Sequence, residues 1–134
     1  MRIPINRAAT AGPAVIAGAV DLLLVLIFVL IGRASHNEAS PGQNVLGTLT
    51  TFWPFLVGLA VGWVGARAWR SPRRIVWTGV IVWAGTLIVG MVLRVVSGQG
   101  IQLSFVIVAA IVLAAFLIGW RALSALVVRM MRGT

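Results

Sequence analysis

Long apolar runs broken by short polar punctuation set the pattern of this chain. Bridging a hydrocarbon core of ~30 Å takes ~20 apolar residues as a helix, and four runs reach that length. They predict helices over about 14–32, 45–66, 75–96 and 101–123, the last continuing as a mixed helix towards Met131. Between them lie a polar loop from Arg33 to Asn44, a basic one from Arg67 to Arg74 and a tight turn at Ser97–Gly100. Pro41-Gly42 and Ser71-Pro72 are turn chemistry, because proline fixes φ and stops a helix. The pattern predicts an all-α, integral membrane four-helix bundle, forming one transmembrane domain over residues 1–134.

Composition agrees. The chain is 60% hydrophobic and 10% charged, against roughly 25% charged residues in soluble domains. A water-soluble fold of this size could not hide so much apolar surface. Arg2 and Arg7 ahead of the first run imitate a signal peptide, but the run exceeds a usual h-region and no A-x-A site follows closely. It reads as the first helix.

Charge supplies orientation. All eleven basic residues are arginine; with abundant Ala, Val and Gly, this points to a GC-rich, actinobacterial source. Nine arginines sit at the N-terminus, in the 67–74 loop and at the C-terminal end, leaving Arg33 and Arg94 on the other side. The positive-inside rule then places both termini in the cytoplasm, in the cell (inner) membrane. Trp63, Trp69, Trp77 and Trp120 gather at the arginine-rich boundary as an expected aromatic belt, and Trp53 marks the other. The net charge of +9 thus reads as anchoring to the bilayer and to anionic lipids at the cytoplasmic face, with no nucleic acid involved. The protein contacts to expect are a homo-oligomer or a membrane-complex partner.

A repeat of two helical hairpins is suggested where helices 2 and 4 carry Gly62-Trp63 and Gly119-Trp120 near one boundary. Chance similarity between apolar segments is the stronger explanation.

Asp21 is the one acid within a span. A charge at a helix centre costs ~2.5–3.5 kcal/mol, whereas the thirteen Leu, Ile, Val and Phe residues around it return about 4–8 kcal/mol at roughly 0.3–0.6 each. Insertion tolerates it without explaining it. Asp21 is either a relay or ion-binding carboxylate or a protonated group bonded to a neighbouring helix. By helix rise, Thr86 is nearly level with it, so Thr86 or the Trp83 indole is the expected partner, with Gly58 alongside. Arg94 is too far for a salt bridge.

Arg33, Arg94 and His36 form an expected outer group able to hold an anion or a lipid headgroup, against plain snorkelling to the interface. Gly58, Gly62 and Gly90 are expected packing positions, Gly58-x-x-x-Gly62 being a close-approach signature. Pro54 is placed in the first turn or two of helix 2, where a lost N–H matters least.

Cysteine is absent and histidine occurs once, which excludes disulfides, thiolate sites and bis-histidine haem in one chain. No phosphate loop, catalytic triad or acid pair is present. The expectation is no enzyme, no cofactor and no metal. The leading reading is a small transport-type subunit using the buried Asp21 and the outer Arg/His group; the alternative is a structural or accessory subunit of a larger membrane complex.

The stretch Asp21–His36, Trp53-Pro54-Phe55 with Gly58, the series Gly79, Trp83, Thr86, Gly90-Met91 and Arg94, and Gly119-Trp120-Arg121 resemble the prokaryotic family called domain of unknown function 3054. The resemblance runs from about Val20 to Arg121. It implies a four-helix membrane protein and no assigned activity.

Overall fold

The computed structural model describes residues 7–35, 44–71, 74–99 and 102–133. The described residues are helical apart from short turns. Helix α1 spans Arg7–Ser35 and α2 spans Asn44–Ala66; a π-helical turn at Ile75–Gly79 leads into α3 at Val80–Val96. Then come α4 at Leu103–Leu117 and α5 at Gly119–Arg132, separated by Ile118 alone. Four segments, Gly12–Gly32, Leu46–Ala66, Ile75–Val96 and Leu103–Arg132, are long and apolar enough to cross a membrane. Even the most hydrophobic stretch of each is at most 33% buried. Most of their apolar surface is thus left uncovered by the chain itself.

Helix α1 outruns the sequence expectation, beginning seven residues before residue 14 with Pro13 inside it. The last span continues to Arg132, in line with the expected mixed helix towards Met131. Glycine brings α2 and α3 together backbone to backbone. A Cβ on Gly58 would lie 2.8 Å from the Thr86 carbonyl oxygen, one on Gly62 would lie 2.9 Å from Val82 Cα, and one on Gly85 would lie 2.7 Å from Gly62 Cα. No residue with a side chain fits there. Gly90 makes a seat for Phe55, whose Cδ1 stands 2.7 Å from where a Cβ would be. Phe55 in turn meets Phe28 of α1 edge to face at 5.3 Å and Phe105 of α4 at 6.4 Å. One ring on α2 thereby ties α1 and α4 to the α2–α3 pair.

Pro54 lies in the third turn of α2, deeper than the sequence suggested, and is buried. A proline inside a helix leaves the carbonyl four residues back without its N–H. Here that carbonyl belongs to Thr50, and the Gln99 side-chain amide donates to it over 3.0 Å. The Gln99 amide oxygen accepts from Arg94 over 3.1 Å. The turn after α3 is therefore pinned to the defect in α2.

Candidate functional site: a filled carboxylate between the first and last helices

Asp21 stands near the middle of α1 with its side chain fully buried. One turn earlier, Gly18 leaves space for Trp63, whose ring carbons would lie 3.5 Å from a Cβ at that position. From the C-terminal part of α2, the Trp63 indole N–H then donates to Asp21 Oδ2 over 2.8 Å. Residues Trp120 and Arg121 come from the first turn of α5. The Trp120 indole donates to Oδ1 over 2.8 Å. The Arg121 guanidinium binds both oxygens, reaching Oδ1 over 2.9 Å and Oδ2 over 2.6 Å.

Each carboxylate oxygen thus accepts two N–H bonds, which fills the ~four acceptor positions a carboxylate offers. Donors alone surround it. Arginine fits because its planar fork matches a carboxylate with two parallel charge-assisted bonds. Arg121 is itself completely buried, donates to the Leu117 carbonyl over 2.7 Å, and lies 4.7 Å from the centre of the Trp120 ring. Its stem packs on Gly79, where a Cβ would stand 3.4 Å from Arg121 Cδ. The π-helical turn at the start of α3 therefore brings a side-chain-free position against the arginine.

The expected partners of Asp21 are corrected. Thr86 Oγ1 donates to the Val82 carbonyl of its own helix over 2.7 Å, and the Trp83 indole donates to the Ala110 carbonyl of α4 over 2.9 Å. Gly58 abuts the Thr86 backbone rather than the carboxylate. The glycine-lined approach of α2 and α3 turns Thr86 towards α2, and Trp83 points at α4. Two indoles and a guanidinium also outcompete a single hydroxyl for a charge. Arg94 does not reach Asp21; it bonds Gln99 and lies over the Phe105 ring at 4.8 Å. His36 and the side chain of Arg33 lie outside the described residues, so the outer group is represented by Arg94 alone.

Sequence reasoning missed Arg121, Trp63 and Trp120 by assigning all three to the boundary. A signal was present: a lone acid in an apolar helix calls for a countercharge, and Arg121 is flanked by Trp120 and Ala122 inside a run that continues apolar. The Trp77 indole, half-exposed at the same end of the bundle, donates to the Ala66 carbonyl over 2.9 Å. Among the described residues no group of three His, Cys, Asp or Glu side chains gathers as a metal site would require, and no buried side-chain polar atom lacks a hydrogen bond.

No curated protein and no solved structure matches the chain. The family described as protein of unknown function (DUF3054) matches residues 18–124, which takes in Asp21, Trp63, Trp120 and Arg121. The chain belongs to that family.

Proposed function

We propose that this chain is a non-enzymatic, multi-pass protein of the cell membrane, acting as a structural or accessory subunit, with the Asp21–Arg121 node fastening its first helix to its last. The observation that carries this reading is the filled carboxylate. Two indoles and a bidentate guanidinium occupy both oxygens of Asp21, so a substrate cation or a transferred proton finds no open acceptor. A buried pair of this kind serves registry: it adds little net stability but penalises every arrangement that separates its partners.

The orientation is part of the proposal. With Arg121 withdrawn into the interior, Arg67, Arg70, Arg74, Arg129 and Arg132 are still exposed at the end opposite Arg94. That asymmetry supports cytoplasmic termini.

The transport reading needs Asp21 to open, and the filled carboxylate weighs against it. Purification from native membranes in mild detergent, with mass spectrometry of co-purifying proteins, separates the two. A stoichiometric foreign partner supports the accessory role. A lone homo-oligomer would return the balance to transport.

A further inference from the structure

Past the Asp21–Arg121 pair, the last helix runs on beyond its neighbours. The Ile118 N–H bonds the Ala114 carbonyl and the Ala122 N–H bonds the Ile118 carbonyl, each over 3.0 Å. The hydrogen-bond ladder therefore passes from α4 into α5 without a break. Gly79 fixes the register against α3, since a Cβ there would stand 3.4 Å from Arg121 Cδ and 3.7 Å from Ile118 Cγ1. The π-helical turn starts at Ile75, one turn below Gly79, so α3 begins about level with Ala125. From there to Arg132 is roughly 10 Å of helix at ~1.5 Å per residue. Arg121 is the one buried residue of α5, and everything from Arg129 to Gly133 is exposed.

Two faces of different chemistry run along this overhang. At ~100° per residue, Leu123, Leu126, Val127 and Met130 fall on one side, each at least 46% exposed. Arg129 and Arg132 turn to the other side. Arg67, Arg70 and Arg74, from the connection between α2 and α3, are exposed at the same end. The chain holds two acidic residues, Asp21 and Glu38. Asp21 is taken by Arg121. Glu38 falls between the end of α1 at Ser35 and the start of α2 at Asn44, at the other end of both helices. These five arginines thus meet no acidic side chain of their own chain, and a second copy would bring only the same arginines. Their countercharge comes from outside.

Depth decides between an anionic leaflet and an acidic protein. The last span of 30 residues is roughly 45 Å long, against ~30 Å of hydrocarbon and ~40–45 Å with the headgroup regions. Its excess length at the arginine-rich end matches a headgroup layer. Trp69 and Trp77 are half-exposed at that end, and exposed indoles favour such an interface.

We infer that the overhanging end of α5 lies in the headgroup layer of one leaflet and binds anionic phospholipid there. Its apolar side rests on acyl chains, and its arginines, with those of the α2–α3 connection, hold the phosphates. The inference rests on the reading that the chain spans a bilayer. Resistance of the protein to alkaline extraction from membranes tests that reading separately.

The test uses the full chain, purified in mild detergent and exposed to equal amounts of phosphatidylglycerol and phosphatidylcholine with matched acyl chains. Native mass spectrometry reads the lipid retained. The wild type is expected to retain phosphatidylglycerol preferentially. Arg129→Gln and Arg132→Gln should each lower that preference about fivefold, the worth of one arginine at an anionic surface. Arg129→Lys and Arg132→Lys keep the charge and should keep the preference. Cysteine is absent from the chain, so single-cysteine variants carry one nitroxide each in vesicles of the two lipids. A label at Met130→Cys should be relaxed more by oxygen than by a water-soluble nickel chelate, and one at Arg132→Cys the reverse. Equal retention of both lipids by the wild type, an unchanged preference in the glutamine variants, or a water-exposed label at position 130 overturns the inference. Tighter retention of a soluble polyglutamate peptide than of phosphatidylglycerol also overturns it, and assigns the surface to an acidic protein.

Discussion

Asp21 and Arg121, one hundred positions apart, meet in a bidentate ion pair whose two side chains are both fully buried. Removing one member of such a pair strands the other, at a cost of about 3–5 kcal/mol, whereas replacing both with apolar groups is often neutral. Asp21→Leu and Arg121→Met should therefore each destabilise strongly, while the two combined should cost clearly less than the sum of the single losses, the remaining loss coming from the Trp63 and Trp120 N–H groups left without their acceptor. Thermal unfolding in detergent reads this directly. Additive losses in the double variant would mean that the pair is not a unit.

The two indoles are expected to behave differently from ordinary core aromatics. Trp63→Phe or Trp120→Phe keeps most of the ring and deletes the N–H, leaving one acceptor position on the carboxylate unfilled. Each should cost about 1–3 kcal/mol. Trp53→Phe, half-exposed at the far end, should cost nothing measurable in the same melting series.

Close packing of α2 on α3 gives a steric prediction. Gly58→Ala and Gly62→Ala place a Cβ at 2.8 Å and 2.9 Å from the opposing backbone, and overpacking of this kind costs typically 1–3 kcal/mol. Gly119→Ala, with nothing within 4 Å of the added carbon, should be tolerated. Comparing the three melting temperatures checks it.

Pro54 and Gln99 should be energetically coupled. Gln99→Ala alone removes the bond to the exposed Thr50 carbonyl and should destabilise by about 0.5–1.5 kcal/mol. In a Pro54→Ala background the alanine restores a backbone N–H that can take that carbonyl, so the same Gln99→Ala change should cost clearly less. A double-mutant cycle measures the difference, and strict additivity would show that the Gln99 bond does not depend on the proline.

Topology is open to a direct measurement. Reporter fusions in the Arg33–Asn44 loop should read periplasmic, and fusions in the Arg67–Arg74 loop and at Thr134 cytoplasmic. A cytoplasmic His36 would reverse the proposed orientation.

The set of elements follows from the order of residues alone. Four apolar runs of spanning length become the four long helices because hydrophobic length is a local property, and Gly58, Gly62 and Gly90 lie on helix faces by the ~3.6-residue period alone. Gly85 completes the contact from α3, but the period could not show which glycine of one helix faces which of the other. The partner of Asp21 was decided only by tertiary structure. Counting arginines along the chain carries no depth, so Arg121 read as a boundary anchor. Taking Gly32 and Ser104, which line one groove between α1 and α4, as level, Asp21 is eleven residues below them, roughly 16–17 Å, and Arg121 seventeen, roughly 25–26 Å. Side chains lean towards the N-terminus of their own helix. Because α1 and the last span run antiparallel, Asp21 leans towards the arginine-rich end and Arg121 leans away from it, and the gap closes. That meeting depends on helix direction, register and side-chain length across the whole fold, none of which is written in any single run of residues.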